Sequence, residues 1–233
     1  MASSKEADLL AVIIPAFQAA ATIRDIVSQV LAAIPAARII IVDDGSTDGT
    51  GDAGRATGVT LATHPRNRGK GAALRTGIAR ACDAGADVIV TLDADGQHAP
   101  ADIPRLLEPI GKKQADLVLG ARARSSTMPA SRRLTNWMSA TLASRIGGQA
   151  VTDAQTGFRA FTREVAERVR PAGDRYEFEA NFLLDALRAG FRVASVEVPT
   201  IYGPRSHFRS WSDTWRMARA FARHAGRIVL GAT

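Results

Sequence analysis

Five short apolar runs, each followed by a stretch with helical spacing, constrain the fold of this chain more than any other feature. The runs are Leu9 to Ile14, Arg38 to Val42, Val59 to Thr63, Asp87 to Leu92 and Asp116 to Leu119. They are continuous rather than alternating, as strands covered on both faces are. Between them Ile23, Ile26, Val27, Val30 and Leu31 recur at helical spacing. A second helix runs from the glycines at Gly69 and Gly71 to about Ala84, with Gly85 as its stop, and a third opens at Pro100, Asp102 and Pro104 and continues through Leu106, Leu107 and Ile110. Strands alternating with helices predict a mostly parallel, doubly wound α/β sheet. The 233 residues suffice for one such domain, and 46% hydrophobic against 23% charged residues is the balance of a folded chain.

Open α/β sheets bind ligands beyond the carboxyl ends of their strands, so the polar residues there are the candidates for function. The run ending at Val90 leads into Thr91-Leu92-Asp93-Ala94-Asp95-Gly96-Gln97-His98. Asp93 and Asp95, with Gly96 allowing a tight turn, can direct hard oxygen donors at a divalent cation such as Mg²⁺ or Mn²⁺, which in turn grips a diphosphate. The second strand leads into Asp43-Asp44-Gly45-Ser46-Thr47, where Ser46 or Thr47 can cap the short helix that follows. Ordinary turn chemistry also accounts for these residues. After the third strand come His64-Pro65-Arg66-Asn67-Arg68-Gly69-Lys70-Gly71. This helix start presents N–H groups and a positive dipole end, and with Arg66, Arg68 and Lys70 it can hold a diphosphate. Its spacing is not that of a Walker loop.

Past Gly120-Ala121-Arg122 the alternation breaks. A polar, basic stretch leads to an amphipathic helix around residues 131–147, with Leu134, Trp137, Met138, Leu142 and Ile146 on one face and Arg132, Arg133 and Arg145 flanking it. Asp153-Ala154-Gln155-Thr156-Gly157-Phe158-Arg159 reads as a functional loop. Glu177 and Glu179 open another helix, where acids suit the dipole, with Phe182, Leu183, Ala186 and Leu187 along it. Val193 to Val198 is a strand, followed by a basic loop containing Ser206 and Arg209. A helix around 210–231 then sets Trp211, Trp215, Ala218, Ala222 and Val229 beside Arg216, Arg219, Arg223 and Arg227. Each amphipathic helix is of the kind that packs on its own domain or lies on an anionic membrane surface.

The formal net charge of +7 predicts an acidic partner: a nucleotide diphosphate, an anionic membrane surface or nucleic acid. The single cysteine, Cys82, excludes an internal disulfide and fits a reducing compartment. No run reaches the roughly 18 apolar residues of a spanning helix, which predicts a cytoplasmic protein that meets a membrane only at its surface.

Taken together, Val12-Ile13-Ile14-Pro15-Ala16-Phe17, Val42-Asp43-Asp44-Gly45-Ser46, Asn67-Arg68-Gly69-Lys70-Gly71, Asp93-Ala94-Asp95-Gly96-Gln97-His98, Gly120-Ala121-Arg122, the Asp153 to Arg159 motif and Val198-Pro199-Thr200-Ile201-Tyr202 resemble, in this order, the inverting family 2 glycosyltransferases of GT-A fold. The likeness is strongest to polyprenyl-phosphate sugar synthases of the dolichol-phosphate mannose synthase and undecaprenyl-phosphate glucosyltransferase type. It implies a GT-A domain over residues 1–209, ahead of the basic amphipathic helix that the spacing predicts within 210–233. It further implies a nucleotide-diphosphate sugar donor, of GDP-mannose or UDP-glucose type, with base and ribose near Pro15, Phe17, Asp43 and Asp44. Asp93 and Asp95 would hold Mg²⁺ or Mn²⁺ on the diphosphate, with Gln97 beside the sugar and Lys70, Ser206 and Arg209 adding positive charge or closing over it. Arg122 and Arg133 would receive the phosphate of a polyprenyl phosphate acceptor at the inner face of the cytoplasmic membrane, and Asp153 is the acid the family offers as a base. One departure stands out: members usually carry Asn-Glu after the first aromatic, and here Gln18-Ala19 stand there.

Three alternatives differ in class. A family 2 enzyme acting on a saccharide hydroxyl would need Asp153 as a general base, whereas a phosphate monoester, largely dianionic near neutral pH, would not. A nucleotidylyltransferase would want a glycine-rich basic loop after the first strand, and Pro15 to Thr22 lacks one. A non-catalytic basic binding module would be indifferent to Asp93 and Asp95.

Overall fold

The computed structural model describes residues 9–122, 130–175 and 177–199, with the backbone alone at residue 122 and at residues 130–138. Among these residues seven strands form one sheet: β1 (Leu10–Ala16), β2 (Arg38–Asp43), β3 (Thr60–Thr63), β4 (Val88–Thr91), β5 (Leu117–Arg122), β6 (Arg159–Thr162) and β7 (Val193–Val198), in the spatial order β3-β2-β1-β4-β6-β5-β7. The helices are α1 (Ile23–Ala33), α2 (Thr50–Arg55), α3 (Lys70–Asp83), α4 (Ile103–Gly111), α5 (Ala130–Gly147), α6 (Arg163–Arg168) and α7 (Glu177–Arg188). The expected α/β class and the predominance of parallel pairing both hold. No helix among the described residues is long and apolar enough to cross a membrane.

β1 pairs in parallel with β2 on one side and β4 on the other, so Ile13 lies opposite both Ile40 and Thr91. The order of strands reverses there, which opens a crevice beyond the carboxyl ends of β1, β2 and β4. Because successive strand side chains point to opposite faces, the continuous apolar runs feed two cores at once. Ala11, Ile13, Ile40 and Val42 pack on one face with Leu74 of α3 and with Phe178, Phe182 and Leu183 of α7. Val12, Ile14, Ile39 and Ile41 pack on the other with Ile23, Ile26, Val27 and Val30 of α1 and with Ile103 and Leu106 of α4. On α5, Leu142 and Ile146 lean on the first core as the helical pattern predicted. Leu134, Trp137, Met138 and the 210–231 helix lie outside the described side chains.

Two local expectations change. Arg159, read as the end of a functional loop, instead opens β6, the one strand among those described that runs antiparallel, between β4 and β5. A four-residue strand that opens on a buried arginine carries too little periodicity to be seen in sequence. The α2 cap also differs: Gly49 stands at the N-cap, and Asp48 accepts both the Thr50 N–H at 3.0 Å and the Thr50 hydroxyl at 2.5 Å. Ser46 Oγ instead accepts the Gln18 N–H at 3.0 Å, joining the loop after β2 to the loop after β1.

Gly77 lets α3 close onto β1, for a Cβ there would land on Cγ2 of Ile13. Replacing glycine by alanine inside a helix gains about 1 kcal/mol, but overpacking a rigid core costs about 1–3 kcal/mol. Ile13 is β-branched and fully buried, so overpacking wins. Gly77→Ala is expected to lower the thermal midpoint by several degrees, read by calorimetry against wild type.

At the far end of the sheet Asp116 accepts from the backbone N–H of Arg192 at 2.8 Å, from its Nε at 3.0 Å and from its Nη2 at 2.7 Å. The arginine's side-chain hydrogen bonds hold the Asp116 carboxyl below its usual range. A depressed carboxyl contributes stability above its unfolded pKa, near 3.9, and loses it as pH falls through the folded value. The pair is partly exposed, so Asp116→Asn should cost no more than about 1 kcal/mol near neutral pH. Denaturant titrations should show that gap constant from about pH 6 to 8 and closing as pH falls below about 4.

Candidate functional site

Sheet geometry decides which residues meet. Thr91, the last residue of β4, pairs with Arg159, the first of antiparallel β6, so the loop before β6 arrives where β4 ends. The Thr91 hydroxyl donates to the Gly157 carbonyl at 2.7 Å and fastens that loop to the strand. Asp93 and the Asp153–Arg159 motif, 60 residues apart in sequence, thus share one corner. The end of β5 reaches the same side of the sheet, with Arg122 in register with Val198.

At the centre is Lys70, the first residue of α3. Its Nζ lies 2.7 Å from Oδ1 and 2.8 Å from Oδ2 of Asp93, and 2.9 Å from Oε1 of Glu179 on α7. Gly157 makes room for this, because a Cβ there would collide with the Asp93 carboxylate and sit 2.8 Å from Lys70 Nζ. Burial alone would pull the Lys70 ammonium down, but Asp93 and then Glu179 outweigh it and hold it above the ordinary lysine value. For Asp93, burial pushes the carboxyl up and adjacent Lys70 brings it below its ordinary value. Burial prevails at Glu179, 6% exposed, whose carboxyl is raised despite Lys70.

Beneath this pair Arg159, buried in the sheet, donates through Nε to the Thr156 carbonyl at 2.8 Å, through Nη2 to that of Ala154 at 3.1 Å and through Nη1 to that of Glu179 at 2.7 Å. Three carbonyls on two segments thereby fix both the loop and the first turn of α7. Asp153, 1% exposed, accepts the Gln155 N–H at 3.1 Å and favours the charged form of Arg159.

Asp95 differs from Asp93 in being exposed. Its Oδ1 accepts the Gln97 N–H at 3.0 Å, closing the turn at Gly96. Although the residue as a whole is exposed, partial desolvation of its carboxyl by the surrounding protein and then the charge of Asp93 raise it. Between the two acids Ala94 turns into the core, and its carbonyl accepts the Thr22 hydroxyl at 2.6 Å, tying the turn to the start of α1.

Pro15, Asp43 and Asp44 are buried at the carboxyl ends of β1 and β2, and Phe17 projects beside them with 42% of its surface exposed. The loop carrying Phe17 is latched to the next one: Gln18 donates through Nε2 to the Thr47 hydroxyl at 3.2 Å and accepts the Thr47 N–H at 2.9 Å, with φ of 53°. Asp43 accepts the Ser46 N–H at 3.0 Å. Asp44 is bound inward by His64 Nδ1 at 2.6 Å, the Arg68 N–H at 3.0 Å and the Gly69 N–H at 2.7 Å. The Ala72 N–H donates to the Asp174 carbonyl at 3.1 Å. The start of α3, expected to offer its N–H groups to a diphosphate, therefore directs these three at the protein's own acid and carbonyl.

Among the sequence candidates, then, the structure joins Lys70 to Asp93 and sets Asp153 on the motif that reaches them. Gln97 and Asp95 share the adjacent turn, and Pro15, Phe17, Asp43 and Asp44 line the neighbouring strand ends. Arg122 is placed by its backbone only, Arg133 lies on α5 with its side chain outside the description, and Ser206 and Arg209 lie outside the described residues. Glu179 and Arg159 were missed as members of the cluster. For Glu179 a signal existed: it shares a helical face with Phe182 and Leu183, three and four residues on, and an acid on an apolar face needs a buried partner. His64 offered no such signal.

This arrangement can present a surplus of carboxylate oxygen, with one acid immobilised and one exposed, at the mouth of an α/β crevice. The family model described as glycosyl transferase family 2 matches residues 11–170. Polyprenol monophosphomannose synthase of Mycolicibacterium smegmatis is 34% identical over 209 residues, 83% of this chain and 77% of that protein. UDP-N-acetylglucosamine–dolichyl-phosphate N-acetylglucosaminyltransferase of Methanococcus voltae is 32% identical over 219 residues, 83% of this chain and 86% of its own. Undecaprenyl-phosphate mannosyltransferase of Micrococcus luteus is 31% identical over 185 residues, 74% of each chain. In structure, glucosyl-3-phosphoglycerate synthase of Mycobacterium tuberculosis, crystallised with Mn²⁺, UDP and phosphoglyceric acid, superimposes with a TM-score of 0.77 at 22% identity, covering 95% of this chain and 80% of that one. The chain belongs to glycosyl transferase family 2 and is a glycosyltransferase of GT-A fold.

Proposed function

We propose that the protein transfers a hexose, with inversion, from a nucleotide-diphosphate sugar to a polyprenyl phosphate at a membrane surface, with a divalent cation at Asp95. The observation that carries the donor half is the exposed Asp95 carboxylate standing beside the locked Asp93. Hard carboxylate oxygens with surplus negative charge fit Mg²⁺ or Mn²⁺. Among the described residues no group of three or more His, Cys, Asp and Glu side chains forms a closed metal cage. Such cations are commonly bound by one or two carboxylates together with substrate phosphates and water. The solved neighbour crystallised with Mn²⁺ and UDP agrees with that chemistry.

In this reading Phe17 offers an exposed ring to the base, Pro15 and Asp43 shape the pocket for base and ribose, and Asp44 holds the loop from His64 to Gly69 that ends at Lys70. Lys70 keeps Asp93 in place, and Gln97 lies beside the sugar. A bound cation supplies Lewis-acid neutralisation of the charge that builds on the leaving diphosphate. Arg122 and Arg133 receive the acceptor phosphate, and Ser206 and Arg209 add hydrogen bonding and positive charge to the binding of the donor diphosphate. An acceptor phosphate oxygen attacks the anomeric carbon as the bond from that carbon to the diphosphate oxygen breaks. The electron pair leaves on the nucleoside diphosphate.

A polyprenyl phosphate is supported by the three relatives above, whose names place a polyprenol, dolichyl phosphate or undecaprenyl phosphate in their reactions. It is supported also by the burial of Asp153, since a phosphate monoester, with a second pKa near 6, attacks without surrendering a proton. Asp153 then acts as a positioning residue for the loop that Arg159 anchors.

Two measurements test this. Release of nucleoside diphosphate, followed over GDP- and UDP-hexoses with a polyprenyl phosphate in detergent, should require Mg²⁺ or Mn²⁺, vanish in EDTA and fall by about 10²-fold or more in Asp95→Asn with the fold retained. Release that ignored the lipid phosphate and rose with a saccharide would move the acceptor to a hydroxyl. Asp153→Asn should cost less than about tenfold on the lipid phosphate, whereas a loss beyond about 10³-fold is the scale of an essential base and would mark a hydroxyl acceptor.

A further inference from the structure

Glu179 has a buried carboxylate that the transfer reaction above leaves unused. Its backbone carbonyl is held by Arg159 Nη1 at 2.7 Å, and that bond survives any side-chain substitution. Phe178, Phe182 and Leu183, all buried, seat the same helix in the core. The carboxylate is therefore not needed to place α7. What it contacts is Lys70 Nζ at 2.9 Å, and the other side of that ammonium holds both oxygens of Asp93.

Charge makes the arrangement specific. Asp93, Asp95, Asp153 and Glu179 face Lys70 and Arg159, so four carboxylates against two cations leave −2 when all are ionised. With Lys70 shared between two acids, its charge is divided, and the Asp93–Asp95 pair keeps negative charge that an undivided Lys70 would cancel. We propose that Glu179 is a positioning residue of the cation site: it seats Lys70 against Asp93 and offsets its charge, leaving the corner with the surplus that a divalent cation neutralises. This rests on the reading of Asp95 as a cation ligand. Without Glu179 the corner would drop to −1, and Lys70 would be held from one side only.

The test is calorimetric titration of GDP and UDP into wild type, Glu179→Gln and Asp95→Asn, each in Mn²⁺ and in EDTA, alongside the thermal midpoint. Glutamine keeps the volume and leaves an amide oxygen for Lys70. Glu179→Gln should therefore weaken nucleotide binding on the order of tenfold in Mn²⁺ and leave binding in EDTA and the midpoint as in wild type. Wild-type affinity in Mn²⁺ would overturn the proposal. So would equal losses in Mn²⁺ and EDTA with a lowered midpoint, the pattern of a merely structural residue. Asp95→Asn should erase the difference between Mn²⁺ and EDTA. If wild type itself shows no such difference, the cation site falls, and that failure is visible apart from any effect at position 179.

Discussion

One ammonium group holds this molecule's working corner together. Lys70 Nζ draws the first turn of α3, the end of β4 and the first turn of α7 to a single point through Asp93 and Glu179. Taking such charges out of water costs several kcal/mol per ion, so a pair like this is seldom a net source of stability. Its effect is geometric. Asp93 is immobilised, and Gly157, which has no side chain to intrude, lets the neighbouring loop close over it. The exposed acid two residues on is thereby mounted on a rigid base, which is what a site that must bind charge without reorganising requires.

A second anion, Asp44, organises the other half of the crevice. The loop from His64 to Gly69 carries basic residues and glycines at a helix start, the sequence pattern of a phosphate cradle. In the folded chain the Arg68 and Gly69 N–H groups bind Asp44 instead, and His64 bridges Asp44 to the Thr76 hydroxyl, 2.9 Å from Nε2. The helix dipole is satisfied internally, and Lys70 emerges from that anchored loop in the position from which it reaches Asp93. Asp44 and Asp93, beyond the ends of β2 and β4 on either side of β1, thus each prepare a neighbour: Asp44 places the loop that ends at Lys70, and Asp93 stands behind Asp95.

Much of the architecture was legible in the residue order. Continuous apolar runs separated by helical spacing required a sheet covered on both faces, and acids at strand ends marked the side where ligands bind. Illegible features were those set by contacts between distant segments. β6 is four residues long and opens on Arg159, so no periodicity betrays it; it exists because β4 and β5 both leave an edge for it. Glu179 read as a complement to a helix dipole, and only the approach of α7 to α3 turns it into a partner for Lys70. The acids of Asp93-Ala94-Asp95 looked like equals in sequence, yet Asp93 is turned to Lys70 and Asp95 is exposed, whereas Asp43 and Asp44 are both buried.

By itself the sequence determined the class of fold, the side of the sheet that carries the chemistry and the residues from which a site is built. Local periodicity and the preferences of acids and glycines at strand ends act over a few residues and need no tertiary context. The division of labour was decided only by the tertiary structure. Whether a carboxylate faces solvent or a buried ammonium depends on which distant elements pack beside it, and at this corner those elements are α3, which carries Lys70 to Asp93, and α7, whose first turn is held by Arg159 on an antiparallel strand.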